Sequence, residues 1–295
     1  MSSSPFKAPS ASAAIALFLF GIFLFAVNDA LGKWLVTGYS VGQVLLLRTV
    51  GAALILAPVL LNGRNDLRLR DQRFWHGLRI ACMAVDSFCF YFATKSLPLA
   101  DVMTFYLAAP IMVTALSGPV LGERVGAFRW AAVLVGFCGV VIALQPSGAA
   151  FSTGALVALA GSATFASAMT VTRRLRDTHW AVLIAWQFAG AGLVGAVASL
   201  LDWTAPQPFD VVLMFVVGIL SMVCFICITK ALAIAPASLL APFQYTSIVW
   251  AVILGWIVFG DRPTPHIILG SAVIIASGLA VFGRERWHAR TTAMT

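Results

Sequence analysis

Three charged side chains fall deep inside apolar stretches of this chain: Asp29, Arg48 and Asp86. A charge at the centre of a hydrocarbon layer costs about 2.5–3.5 kcal/mol on the insertion scale, so each needs a compensating partner or a function. Asp86 sits midway along the apolar run 74–97. It suits contact with a solute amine or carriage of a proton; the alternative is a structural ion pair or a protonated packing residue. Arg48 and Asp29 lie at similar depths in neighbouring runs, about 10 Å from one end at 1.5 Å per residue. Equal depth predicts an Asp29–Arg48 ion pair, with Lys33 one turn further out on the Asp29 face. The pair either fixes helix packing or belongs to an outer cluster that receives a solute carboxylate, and Asn28 can join either arrangement. Arg79, two turns before Asp86, is expected to snorkel to the cytoplasmic headgroups.

Other chemistry finds little support. Cys224 and Cys227 have redox or metal spacing, but their neighbours are apolar and no second ligand pair follows, so no metal site is expected. All five cysteines lie in apolar segments, where a thiol behaves as a small hydrophobe. His76, His179, His266 and His288 fall at run ends or in the tail. There is no P-loop, HExxH or Gly-x-Ser-x-Gly pattern, so no catalytic residue and no cofactor is assigned.

The elements that carry the buried charges follow from composition. Of 295 residues, 61% are apolar and 10% charged, against roughly a quarter charged in soluble domains. Mean hydropathy is +0.96. The solvent must be largely lipid, and a helix needs about 20 apolar residues to cross it. Runs bounded by charge or Pro/Gly clusters fall at 13–36, 41–61, 74–97, 100–121, 127–145, 152–173, 179–201, 209–234, 238–259 and 265–283. They are apolar on nearly every face, which suits membrane helices and not the alternate-residue pattern of a barrel. The first is too long for a signal-peptide core and reads as a retained span. The net charge of +8 resides in short loops, so it reports topology and not nucleic-acid binding. With the N-terminus inside, nearly all loop Lys and Arg are cytoplasmic, and only Lys33, Lys95 and Arg262 lie at the other face. Both termini are then cytoplasmic.

An internal repeat organises the runs. Sliding 92–124 onto 230–262 without a gap aligns Pro98 with Pro236, Phe105 with Phe243 and Gly122-Glu123-Arg124 with Gly260-Asp261-Arg262. A second slide puts Gly21, Phe25 and Ala26 on Gly161, Phe165 and Ala166, with Lys33 on Arg173. The reading is an all-α integral membrane protein of ten transmembrane helices, built as two inverted five-helix repeats, 13–145 and 152–283, around a central cavity. Segments 1–12 and 284–295 are cytoplasmic tails. Five being odd, the second copy enters from the opposite side, and a cavity at the repeat interface is a site for alternating access.

The repeat places further candidates. Tyr106 and Gln244 are equivalent residues, and Tyr245 is adjacent, so helices four and nine could line the cavity with aromatic and amide groups. Gln187 occupies roughly the Arg48 position of the second half, with Trp186 beside it, which leaves that half uncharged there. Pro110, Pro119 and Pro242 interrupt the same two helices and are either gates or static kinks. Gly190, Gly192, Gly195 and Ser199 read as close-packing positions.

The endings Pro119-Val120-Leu121-Gly122-Glu123-Arg124 and Trp256-Ile257-Val258-Phe259-Gly260-Asp261-Arg262, with Ala235-Pro236-Ala237-Ser238, resemble those of the drug/metabolite transporter superfamily, specifically ten-helix members with two EamA-type repeats. The likeness spans 13–283; Asp261 stands where Glu is more usual. It implies secondary transport of a small organic solute, often export of amino acids. The resulting expectation is a monomeric carrier in a bacterial inner membrane, with solute and lipid bilayer as partners. It exports amino acids, aromatic or apolar ones favoured by the aromatic residues. The alternatives are an importer of a vitamin or nucleoside-like metabolite such as riboflavin or S-adenosylmethionine, a passive channel, and an intramembrane lipid-modifying enzyme.

Overall fold

The computed structural model describes residues 11–62, 72–97, 99–144, 153–259 and 265–292. Among them every regular element is helical: α1 (Ala11–Gly38), α2 (Val41–Asn62), α3 (Arg73–Ser96), α4 (Leu99–Tyr106), α5 (Ala109–Leu121), α6 (Ala127–Leu144), α7 (Thr153–Arg174), α8 (Trp180–Ser199), α9 (Pro208–Ile234), α10 (Ala237–Leu240), α11 (Thr246–Phe259) and α12 (Pro265–Thr292). A 3-10 turn, Ala241–Tyr245, joins α10 to α11. Helices α1, α2, α3, α7, α8 and α9 are each long and apolar enough to cross a membrane. Leu61, Leu193, Phe209 and Ile257 are exposed on the outside while Arg48, Arg79 and Asp86 are at most 5% exposed. This inversion of the soluble pattern suits a lipid surround.

Two predicted runs are not continuous. The run 100–121 is split into α4 and α5 because Pro110 supplies no N–H to the Tyr106 carbonyl and its ring collides with it. The chain turns through Leu107 and Ala108, and the freed Tyr106 carbonyl accepts the Ser162 hydroxyl at 3.4 Å. In the run 238–259, Pro242 stands in the tighter 3-10 turn between α10 and α11. The last helix also outruns its predicted end at 283 and continues through Arg284 to Thr292.

Packing pairs the two halves. Helix α1 lies along α9, α3 along α7, α2 along α8 and α9, and α6 along α12. The α2–α9 crossing is backbone to backbone: a Cβ added at Gly218 would run into the Arg48 carbonyl, and one at Gly51 into the Phe215 main chain. Gly192 and Gly195 of α8 lie against Thr49 and Leu46 of α2. At one end, Gln43 and Thr204 exchange two hydrogen bonds, of 2.7 and 3.2 Å, and the Tyr39 hydroxyl donates to the Asp210 carboxylate.

Arg79 departs from its predicted role. It does not snorkel: at 1% exposure its Nε donates to Thr172 Oγ1 (2.7 Å), one terminal nitrogen to the Leu183 carbonyl (2.8 Å) and the other to Gln187 Oε1 (2.9 Å). Acceptors on α7 and α8 take up all three of its nitrogens, so the cation is solvated by protein. Gln187→Ala leaves one donor of a buried charge without its acceptor, which costs about 1.5–3 kcal/mol. The expected result is a melting temperature lowered by roughly 5 °C in detergent, read by thermal unfolding fluorescence.

Candidate functional site

Several of the buried polar residues converge on one cavity, of about 80 Å³. Helix α1 contributes Asn28 and Asp29, α2 Arg48, and α3 Asp86, Ser87, Phe90 and Tyr91. Tyr106 closes α4, Phe165 comes from α7, Ser221 and Phe225 from α9, and Gln244 from the 3-10 turn. Both helix interruptions therefore border the same space, since Leu107, Ala109 and Pro110 line it too.

The expected Asp29–Arg48 ion pair does not form. Arg48 turns to α3, where one terminal nitrogen donates to the Tyr91 hydroxyl (3.0 Å) and the other to Ser87 Oγ (3.1 Å). Its guanidinium carbon stands 5.3 Å from the centre of the Tyr91 ring. Gly32 makes this possible, because a Cβ there would sit 2.6 Å from the Tyr91 ring and hydroxyl. Asp29 keeps a separate set: Asn28 Nδ2 donates to Asp29 Oδ1 (3.2 Å), and Ser221 donates to Asn28 Oδ1 (2.6 Å). The Tyr106 hydroxyl donates to the main-chain carbonyl of Asp86 at 3.2 Å, and Gly161 leaves the room that this hydroxyl fills.

Aromatic rings join these polar groups. Phe225, Phe25, Phe165, Tyr106, Phe90 and Tyr91 form a chain of edge-on and tilted contacts with centroids 5.3–6.4 Å apart, within the range of favourable ring pairs. Arg48 Nε, Asp86 Oδ1 and Gln244 Oε1 are buried without a hydrogen-bond partner. Buried polar atoms are nearly always satisfied, so each orphan calls for an explanation. One unused donor on a cation and two unused acceptors, one on a carboxylate, share a space walled by rings. That set suits a solute carrying an acceptor, donors and a flat apolar portion.

The cavity thus brings together Asn28, Asp29, Arg48, Asp86, Tyr106 and Gln244. It does not include the other predicted residues. Tyr245 is buried against Gly136 of α6, its hydroxyl unpartnered; Gln187 is engaged by Arg79; Trp186 is 38% exposed on α8. Ser87, Ser221 and the phenylalanines do not stand out in the sequence, because a serine or phenylalanine in an apolar run carries no mark of the face it occupies. Cys224 lines the cavity as a free thiol, and all five cysteines are free. No cluster of metal-ligating side chains occurs among the described residues.

The EamA-like transporter family matches this chain twice, over residues 12–145 and again over 152–283. The chain belongs to the EamA-like transporter family. An S-adenosylmethionine uptake transporter of Rickettsia prowazekii (strain Madrid E) is 24% identical over 277 residues, covering 92% of this chain and 93% of that one. A riboflavin transporter of Vibrio cholerae serotype O1 is 28% identical over 77% of each chain. A pseudopaline exporter of Pseudomonas aeruginosa (strain UCBPP-PA14) is 26% identical over 65% of this chain and 69% of its own. A solved crystal structure superposes with a TM-score of 0.76 at 19% identity, over 92% of this chain and 96% of the other, which speaks to the fold. This EamA-family chain is a multi-pass membrane protein with the makings of a small-molecule transporter.

Proposed function

We propose that this EamA-family protein is a secondary transporter that moves an amino-acid-type metabolite bearing an aromatic or other flat apolar group, by alternating access. The observation that carries this reading is the set of unpartnered Arg48 Nε, Asp86 Oδ1 and Gln244 Oε1 around a cavity walled by aromatic rings. Arg48 receives the solute carboxylate, Asp86 and Gln244 receive its ammonium group, and the rings take its apolar part.

The architecture proposed for it is ten crossings in two inverted five-helix repeats, 13–145 and 152–283, with both termini cytoplasmic and a monomer as the working unit. The packing supports a two-fold pair: exchanging the halves turns the α1–α9 contact into the α7–α3 contact and returns α2–α8 and α6–α12 to themselves. The interruptions in the fourth and ninth crossings fall at corresponding places, where discontinuous helices border transporter sites. Export of amino acids is the reading from sequence. A second reading, uptake of S-adenosylmethionine, is favoured by the relative that covers nine-tenths of the chain; that solute also joins an amino-acid head to a flat ring.

Counterflow tests the amino-acid head that both readings share. Purified protein in liposomes loaded with unlabelled tryptophan, phenylalanine, S-adenosylmethionine or riboflavin is given the labelled solute outside. The expected result is transient accumulation that requires an amino-acid head on the solute. Accumulation of riboflavin alone overturns the zwitterion reading, and flux without trans-stimulation overturns the carrier in favour of a channel. Production of a modified lipid would mark the enzyme alternative, which needs two catalytic groups near one headgroup plane.

A further inference from the structure

The repeated Gly-acid-Arg ending has a visible use at Glu123. Gly122, left-handed at φ 69°, stops α5: its N–H donates to the Gly118 carbonyl (2.9 Å), the bond of an αL stop, and the Glu123 N–H donates to the Ser117 carbonyl (3.1 Å). The carboxylate is thereby carried off α5 and onto the other half of the chain. There Oε1 accepts the Ala237 N–H (3.2 Å), and Oε2 accepts the Ser238 N–H (3.3 Å) and the Ser238 hydroxyl (2.9 Å). Arg173, at the end of α7, lies 3.5 Å from Oε1 and holds the Leu232 and Ala233 carbonyls at 2.7 and 3.0 Å. Arg129 donates to Ser238 Oγ at 3.1 Å.

Inward from this carboxylate α5 packs against α10 and the 3-10 turn. Val113, Thr114 and Ser117 of α5 and Leu239, Leu240 and Phe243 opposite them are buried. The same short segment, Ala237–Tyr245, that Glu123 holds at its start delivers Gln244 to the cavity. Its middle is the 3-10 turn at Pro242, a form that runs only a few residues and often marks a hinge. The ion pair that anchors it sits at a rim, with Arg173 and Glu123 side chains 11% and 14% exposed. Partial exposure lets water hydrate both charges when the contact opens, while the charge-assisted bonds hold it closed.

We infer that the Glu123 contact is a breakable latch: it holds this mouth of the cavity shut by tying α5 and α7 to α10, and it couples closure to the position of Gln244. The inference rests on the carrier reading for its role in turnover, but the latch itself is open to a separate measurement. In a background with the five native cysteines replaced, Ser247→Cys on the cavity wall reports access to a membrane-impermeant maleimide added to each face in turn. An Arg124→Cys control marks the face on which Glu123 lies. Glu123→Gln is expected to raise the labelling rate from that face about tenfold, through loss of the charge-assisted contacts, and to lower it from the other. Arg173→Gln and Ser238→Ala, which each remove part of the contact, should raise it about threefold and carry the test where Glu123→Gln does not fold. Unchanged labelling in the folded variants, or an equal rise from both faces, overturns the latch. If the wild type exchanges no solute while the reporter still responds, the carrier reading falls and the latch stands. If exchange is normal and the reporter ignores all three variants, the latch falls alone.

Discussion

Arg48→Ala is expected to abolish measurable counterflow of an amino-acid solute, and Arg48→Lys to restore little of it. The guanidinium spends its two terminal nitrogens on Tyr91 and Ser87, which fixes its plane and leaves Nε for a ligand. An ammonium group on a flexible stem cannot hold two partners and present a third donor in a set direction. A hydrogen bond to a charged group contributes about 1.5–3 kcal/mol, so loss of the solute carboxylate contact lowers affinity roughly 10- to 100-fold. Titration of solute-induced thermal stabilisation of the purified protein reads this independently of transport. Equal affinity in wild type and Arg48→Ala would remove Arg48 from the binding set and leave Asp86 and Gln244 as its polar anchors.

Gly218→Val is expected to destabilise the protein more than Gln187→Ala does. The added Cβ would lie 2.7 Å from the Arg48 carbonyl carbon and 3.0 Å from its Cα, with the carbonyl oxygen closer still. Both sides of this contact are main chain of long helices, so no side chain can swing away. Overpacking of this kind costs about 1–3 kcal/mol where neighbours can shift, and here the upper end applies. A fall of about 5–10 °C in melting temperature follows, with solute binding reduced because α2, and with it Arg48, is pushed from α9. Gly77→Ala is the control: a Cβ there meets nothing within 4 Å, and replacing a mid-helix glycine by alanine is neutral or stabilising by about 0.5–1 kcal/mol. If both variants melt alike, close helix approach is not what holds α2 and α9 together.

The depth of each charge is legible in the sequence, and its partner is not. Asp29, Arg48 and Asp86 belong inside the bundle on sequence grounds, and they are buried there, because a charge in mid-run has nowhere else to go in lipid. The Asp29–Arg48 pair rests on equal depth alone, and the structure turns Arg48 by its helix rotation toward Tyr91 and Ser87. Arg79 departs from expectation for a related reason: its distance from the run end suggests headgroups, while Thr172 and Gln187, far off in sequence, are closer in space. Tyr245 illustrates the limit of adjacency, since one residue along a turn separates a cavity wall at Gln244 from a core position against Gly136.

Composition and run length by themselves settle that this is a helical membrane protein, because lipid forces every apolar run to satisfy its own backbone and leaves helix as the only open-ended solution; the aligned Gly-acid-Arg endings add the duplicated plan. Which faces meet is another matter. Helices apolar all round have no stripe to reveal their rotation, so the inward residues, the company Arg48 and Arg79 keep, and the reach of Glu123 across the halves are set only when the helices pack against one another.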